Sequence, residues 1–125
     1  MLLLLTLVGC AAAEGRPIEV VGKGRTGSER FQGFATISKN GSTAVRMTNA
    51  VGVECVGNFP YAGRAKSKGE LICTDGRVAN MTFTALSRTS GYGYGTASDR
   101  TAIAFFFGLP EAEADAYLGF PRTSQ

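Results

Sequence analysis

From about Arg30 onward the chain passes through short runs rich in Val, Ile, Thr, Phe and Tyr, each closed by glycine, asparagine, aspartate or serine. In order they are FQGFATIS, STAVRMTN, VGVECVGNF, GELICT, RVANMTFTAL, SGYGYGTA and TAIAFFFG. Runs of this length and composition between turn residues read as β-strands. Asn40-Gly41 joins the first two runs, and Asp75-Gly76 joins GELICT to RVANMTFTAL. Both dipeptides predict two-residue type I′ turns, whose central residues need positive φ. Further turns are predicted near Ala50 and at Ser98-Asp99-Arg100. The expectation is an all-β fold, an antiparallel meander of about seven strands forming a small barrel or a two-layer sandwich, because either removes exposed edges.

The period changes after TAIAFFFG. Pro110 suits the first position of a helix, Glu111, Glu113 and Asp115 complement the positive end of its dipole, and Gly119 suits its C-terminal cap. A short C-terminal helix is therefore predicted, with Tyr117 and Leu118 docking on the sheet or plugging one barrel end.

Composition narrows the chemistry. A chain of 125 residues, 44% hydrophobic and 18% charged, has material for one domain with a modest core. Its 17 glycines, recurring between the strand-forming runs, fit a turn-rich β protein. Histidine is absent, which removes imidazole as general base, proton shuttle or metal ligand. Ser87, Ser90 and Ser98 have no visible base, so a non-enzymatic protein without a cofactor is expected. The net charge of +3 is unevenly placed: Arg16 to Arg100 include nearly all the Lys and Arg, whereas the tail is acidic. A basic body favours anionic neighbours, and equally it favours solubility.

Residues 2–8, LLLLTLV, are too few to span a bilayer but long enough for the apolar core of an export signal. They run into Leu7-Val8-Gly9-Cys10, which resembles the lipobox of bacterial lipoproteins. The resemblance implies a diacylglyceryl thioether on Cys10, cleavage before it, and acylation of the new amino group, for instance by palmitate. Two or three chains make release from a membrane negligible, at about 0.8 kcal/mol per buried methylene. No Lys or Arg precedes the apolar run, where a signal normally carries one; a start further upstream would explain this. The alternative is an ordinary signal cleaved near Ala11 to Ala13. Ala11 rather than Asp after the cysteine favours the outer membrane. The expected organisation is a signal peptide over 1–9, lipidated cysteine and tether over 10–29, and a single β domain over 30–125.

With Cys10 lipidated, Cys55 and Cys73 remain, and in an exported compartment such a pair most simply forms a disulfide. A hairpin tip at PYAGRAKSK would set Cys55 opposite Cys73, so strand register and cysteine count agree. Two thiols without histidine fall short of the four ligands zinc requires, and no metal site is expected.

VVGKGRTG, residues 20–27, matches G-x-G-x-x-G after four residues that could form a strand. The dinucleotide fingerprint needs a following helix and an acidic residue about 20 positions later. Here SERFQGFATIS alternates like a strand and STAVRMTNAV contains no acid. An exposed glycine-rich connection into the first main strand is expected instead, and no nucleotide partner.

Two stretches are candidate partner-binding sites. GRAKSKGE places Arg64, Lys66 and Lys68 at alternate positions of one exposed tip, able to grip phosphate or carboxylate, or simply to keep a hairpin end soluble. SGYGYG alternates glycine with Tyr92 and Tyr94, leaving one strand face bare for a ligand, a partner chain, or bulky neighbours such as Phe105 to Phe107. No nucleic-acid motif is present.

Cys55-Val56-Gly57-Asn58-Phe59 followed by Gly69-Glu70-Leu71-Ile72-Cys73-Thr74-Asp75-Gly76-Arg77 resembles small uncharacterised exported proteins of proteobacteria, over roughly residues 30 to 108. The resemblance implies a β fold and transfers no activity. The expected function is a lipid-anchored, periplasm-facing module, a structural or accessory subunit of an envelope or membrane complex, with a protein partner. TSGYGY also resembles the inhibitory loop of lipoprotein inhibitors of c-type lysozyme, although their nearby lysine is missing after Ser90. A carrier binding a small ligand or lipid against Phe105, Phe106 or Phe107 is a third reading.

Overall fold

The computed structural model describes residues 16–25, 28–60 and 66–118. It is a closed antiparallel barrel of eight strands in simple meander order. The strands are β1 (Ile18–Gly24), β2 (Glu29–Ile37), β3 (Thr43–Asn49), β4 (Glu54–Phe59), β5 (Lys66–Cys73), β6 (Val78–Ser87), β7 (Ser90–Ala97) and β8 (Ala102–Phe107), followed by helix α1 (Glu111–Leu118). Cys10 and the export-signal residues lie outside the described residues.

The strand beyond the seven expected is β1, which corrects the boundary drawn at residue 30. Ile18–Gly24 pairs with β2 on one side, Lys23 opposite Arg30, and with β8 on the other, Val21 opposite Phe106. Without it, β2 and β8 would keep open edges. Residues 20–24 of the glycine-rich stretch are consequently strand rather than an exposed connection, with Gly22 and Gly24 at inward positions; Thr26 and Gly27 lie outside the described residues. A Cβ on Gly22 would collide with the Met47 sulfur, so this glycine makes room for a core side chain.

The hairpin turns also differ from type I′. Four connections share one hydrogen-bond scheme, seen at Ser38–Ser42, where the Gly41 N–H donates to the Ser38 carbonyl and the Ser38 N–H to the Ser42 carbonyl. It recurs at Asn49–Val53, Cys73–Arg77 and Ala97–Thr101. The loops hold three residues, and only the last takes positive φ: Gly41, Gly52, Gly76 and, in the fourth, Arg100. This is a type I turn followed by a left-handed residue. Asn40, Asp75 and Asp99 serve it through their side chains, each accepting from the N–H two residues on.

Inward side chains fill the barrel. Phe59, Phe83, Phe105 and Phe107 pack with ring centroids 5.5 to 6.0 Å apart, and Phe31, Met47, Leu71, Met81 and Ile103 are buried around them. The Cys55–Cys73 disulfide joins directly opposed residues of β4 and β5. Glycine on the inner face of β7 answers to this packing: a Cβ on Gly93 would lie 2.6 Å from the Phe105 ring. The bare face of SGYGYG is thus occupied by aromatic neighbours.

Helix α1 docks on the outside of the barrel and plugs neither end. Tyr117 stacks on Tyr92 of β7 at 4.9 Å, Ala114 is buried, and Ala104 and Phe106 of β8 are buried although they point outward. Among the described residues no helix is long and apolar enough to cross a membrane.

Candidate functional site

Outward positions carry the candidate site residues. Lys66 and Lys68 stand on β5 itself, which corrects their placement in a loop; Arg64 lies outside the described residues. Strand register brings them into line with the two tyrosines, as Lys66–Thr84–Tyr92 and Lys68–Thr82–Tyr94 across β5, β6 and β7. With neighbouring strands about 4.8 Å apart, the lysine and tyrosine columns are roughly 10 Å apart. The two tyrosines then diverge: Tyr92 is half-buried beneath Tyr117, whereas Tyr94 remains 44% exposed. An open depression beside them is lined by Lys68, Gly69, Glu70, Asn80, Met81 and Thr82. Thr84, between Lys66 and Tyr92, is buried with no hydrogen-bond partner for its hydroxyl.

A second outward row crosses six strands, β1 to β6, with Glu19, Phe34, Arg46, Val56, Ile72 and Val78 in successive register. Phe34 is 55% exposed and Ile72 51% exposed. Arg46 bonds Glu54 at 2.8 Å, so the cation within this row is neutralised along its edge. No sequence period singled this row out, because its members belong to different strands and meet only through register.

Helix α1 is held by charge. Lys23 Nζ lies 2.7 Å from Glu111 and 2.8 Å from Asp115, and Arg30 makes two hydrogen bonds to Glu111. Hydrogen bonds from Arg30 and then Lys23 hold the Glu111 carboxyl down at about 2. For Lys23 burial disfavours the charge, but bonds to Asp115 and Glu111 outweigh it and raise its pKa. An amine in the middle of VVGKGRTG thus serves to dock a helix that follows it by about 90 residues in the chain.

At the disulfide end of the barrel Glu29 and Arg77 form a buried two-pronged pair at 2.9 and 2.7 Å. Asn49 donates to Glu29, Asp75 accepts from Arg77, and the Arg77 guanidinium lies 5.9 Å from the centre of the Phe31 ring. The Arg77 bonds depress the Glu29 pKa against the effect of burial. Every strong donor and acceptor in this cluster faces another, which suits a closure of the barrel end. No sequence pattern pairs Glu29 with Arg77, since they lie 48 residues apart and meet only when the barrel closes.

The serines serve turns. Ser87 and Ser90 hydroxyls lie 2.7 Å apart, Ser87 accepts from the Thr89 N–H, and Ser98 accepts from the Val78 N–H. Among the described residues no group of three or more Cys, Asp and Glu is arranged to hold a metal ion. No family model, curated protein or solved structure matches the chain.

Proposed function

We propose that the protein is a lipid-anchored, periplasm-facing module that works by binding, a structural or accessory subunit of an envelope complex. The observation that carries this reading is the outward row Phe34, Arg46, Val56, Ile72 and Val78, apolar except for Arg46, whose charge Glu54 pairs, on the side of the barrel that α1 leaves uncovered. An exposed apolar strip bordered by polar and charged residues is the usual anatomy of a protein interface. The strip lies on regular strands braced by a disulfide, so little ordering is required on association. Leu7-Val8-Gly9-Cys10 supports the anchor.

The experiment is a C-terminally tagged pull-down from detergent-solubilised native membranes, with the intact mass of the bait. The expected result is a stoichiometric protein partner, lost on Phe34→Glu with Ile72→Glu, and a bait carrying the mass of its acyl chains. Recovery of bait alone from both forms would overturn the subunit reading, and a bait without acyl mass the anchor.

Lysozyme inhibition gains no geometric support. Ser90 to Tyr94 form the start of β7 rather than a projecting loop, Gly91 and Gly93 face the core, and Tyr92 is stacked under the helix. A carrier cavity at Phe105 or Phe107 is filled by the other rings, and Phe106 lies buried on the outer face.

A further inference from the structure

The two ends of the barrel differ in charge. At the disulfide end and along α1, the cations other than the exposed Arg100 are matched: Arg77 with Glu29 and Asp75, Arg25 with Glu29, Arg46 with Glu54, Lys23 with Glu111 and Asp115, Arg30 with Glu111. At the other end, where β1 begins, stand Arg16, Lys39, Lys66, Lys68 and Arg88. All of them are exposed, and none forms an ion pair among the described residues. Two exposed carboxylates stand among them, Glu19, the second residue of β1, and Glu70, two residues beyond Lys68 on β5, and neither is within ion-pair distance of these cations. The meander brings these cations together from separate parts of the chain: Lys39 from the β2–β3 connection, Lys66 and Lys68 from the start of β5, and Arg88 from the β6–β7 turn. Leu86, 40% exposed, stands beside Arg88 as an apolar contact at the same rim.

We infer that this basic rim is a docking surface for an anionic phospholipid bilayer, and that it seats the barrel end-on against the membrane. The inference rests on the lipid-anchor reading for its orientation. The chain enters the barrel at Ile18, at the basic end, and the stretch from Cys10 to Ile18 can reach at most about 30 Å when fully extended. The rim is therefore the part of the barrel that a membrane anchor at Cys10 would hold closest to headgroups. Tethering raises the effective concentration of the surface to the millimolar range, so a weak rim affinity suffices. Each basic side chain near an anionic surface strengthens partition about fivefold, and the effect decays within roughly 8 Å at physiological salt. Seated this way, the barrel directs its disulfide end away from the bilayer and leaves the Phe34–Ile72 strip facing sideways, open to a neighbour in the same membrane.

The test uses the full chain carrying Cys10→Ser, so that no thioether forms, in co-sedimentation with phosphatidylglycerol vesicles and with phosphatidylcholine vesicles. Three forms are compared: the parent, Lys39→Ala/Lys66→Ala/Arg88→Ala, and Arg25→Ala/Arg46→Ala/Arg100→Ala, which removes the same charge from the other half of the barrel. Any contribution of residues 2–8 is common to all three and cancels in the ratio. The rim triple variant is expected to lose about 100-fold of its phosphatidylglycerol partition, and the other triple less than about fivefold. Equal partition of parent and rim variant, or an equal loss in both triples, would overturn the docking surface. A thermal melt of each variant confirms that the barrel is folded. The acyl mass of wild-type chain from native membranes is read separately, so a failed anchor and a failed rim give different results.

Discussion

Arg77 shows how much one side chain decides. Its guanidinium is buried at the barrel end, with both prongs on the Glu29 carboxylate. Removing one member of such a pair strands the other charge in a poorly solvated site, whereas removing both leaves apolar volume. Arg77→Met is expected to destabilise the protein by about 3 to 5 kcal/mol, and Arg77→Met with Glu29→Met by much less than the sum of the single changes. Urea unfolding of the two single variants and the double variant measures this. Additive losses would mean that the pair does not act as a unit.

Helix α1 is too short to hold its shape without the barrel, since isolated helices of its length are unstable in water. Its docking rests on Ala114, the Tyr92–Tyr117 stack and the Lys23–Glu111–Arg30 contacts, and the last of these fixes a pH response. Glu111 has its pKa lowered from 4.5 to about 2 in the folded protein, so its contribution is complete above 4.5 and is lost as pH falls through about 2. Lys23 has its pKa raised, so its contribution is complete up to about 10.5 and is lost only above that. The helix should therefore remain docked across the neutral range and loosen in acid. Glu111 is partly exposed, so the effect is small, under about 1 kcal/mol, and the barrel should survive it. Near-ultraviolet circular dichroism of the stacked tyrosines between pH 5 and about 2 is expected to show the change, and Glu111→Gln to flatten it. An unaltered profile in Glu111→Gln would assign the acid response to another group.

Taken whole, the molecule combines a closed hydrogen-bonded cylinder with one covalent brace. Cys55 and Cys73 are separated by 18 residues, and closing a loop of that size stabilises by about 3 kcal/mol in the chain-entropy account. Cys55→Ala with Cys73→Ala is expected to lower the melting temperature by roughly 12 to 24 °C while the far-ultraviolet spectrum keeps its β form. A spectrum without β structure would mean that the barrel cannot close without the bridge. The charged rim and the apolar strip belong to this level too, since each exists only once the cylinder has closed.

Local chemistry made much of this legible in the chain. The strand runs, the turn positions, the cysteine pairing and the short acidic helix each depend on neighbouring residues or on one hairpin, so periodicity and turn preferences suffice to find them. Even there the turn type escaped, because Asn-Gly and Asp-Gly suit both two-residue and three-residue loops, and the side-chain bonds of Asn40 and Asp75 select between them. Strand β1 was hidden by glycines that resemble a loop until Met47 and Phe31 arrive to fill the space beside Gly22. Lys23 and Glu111, Glu29 and Arg77, Phe34 and Ile72, and the cations of the rim are far apart in the chain. Their juxtaposition depends on strand register and on the joining of β1 to β8, which are cooperative properties of the closed barrel. Thus the sequence set the kind of elements and their order, and folding set which surfaces those elements compose.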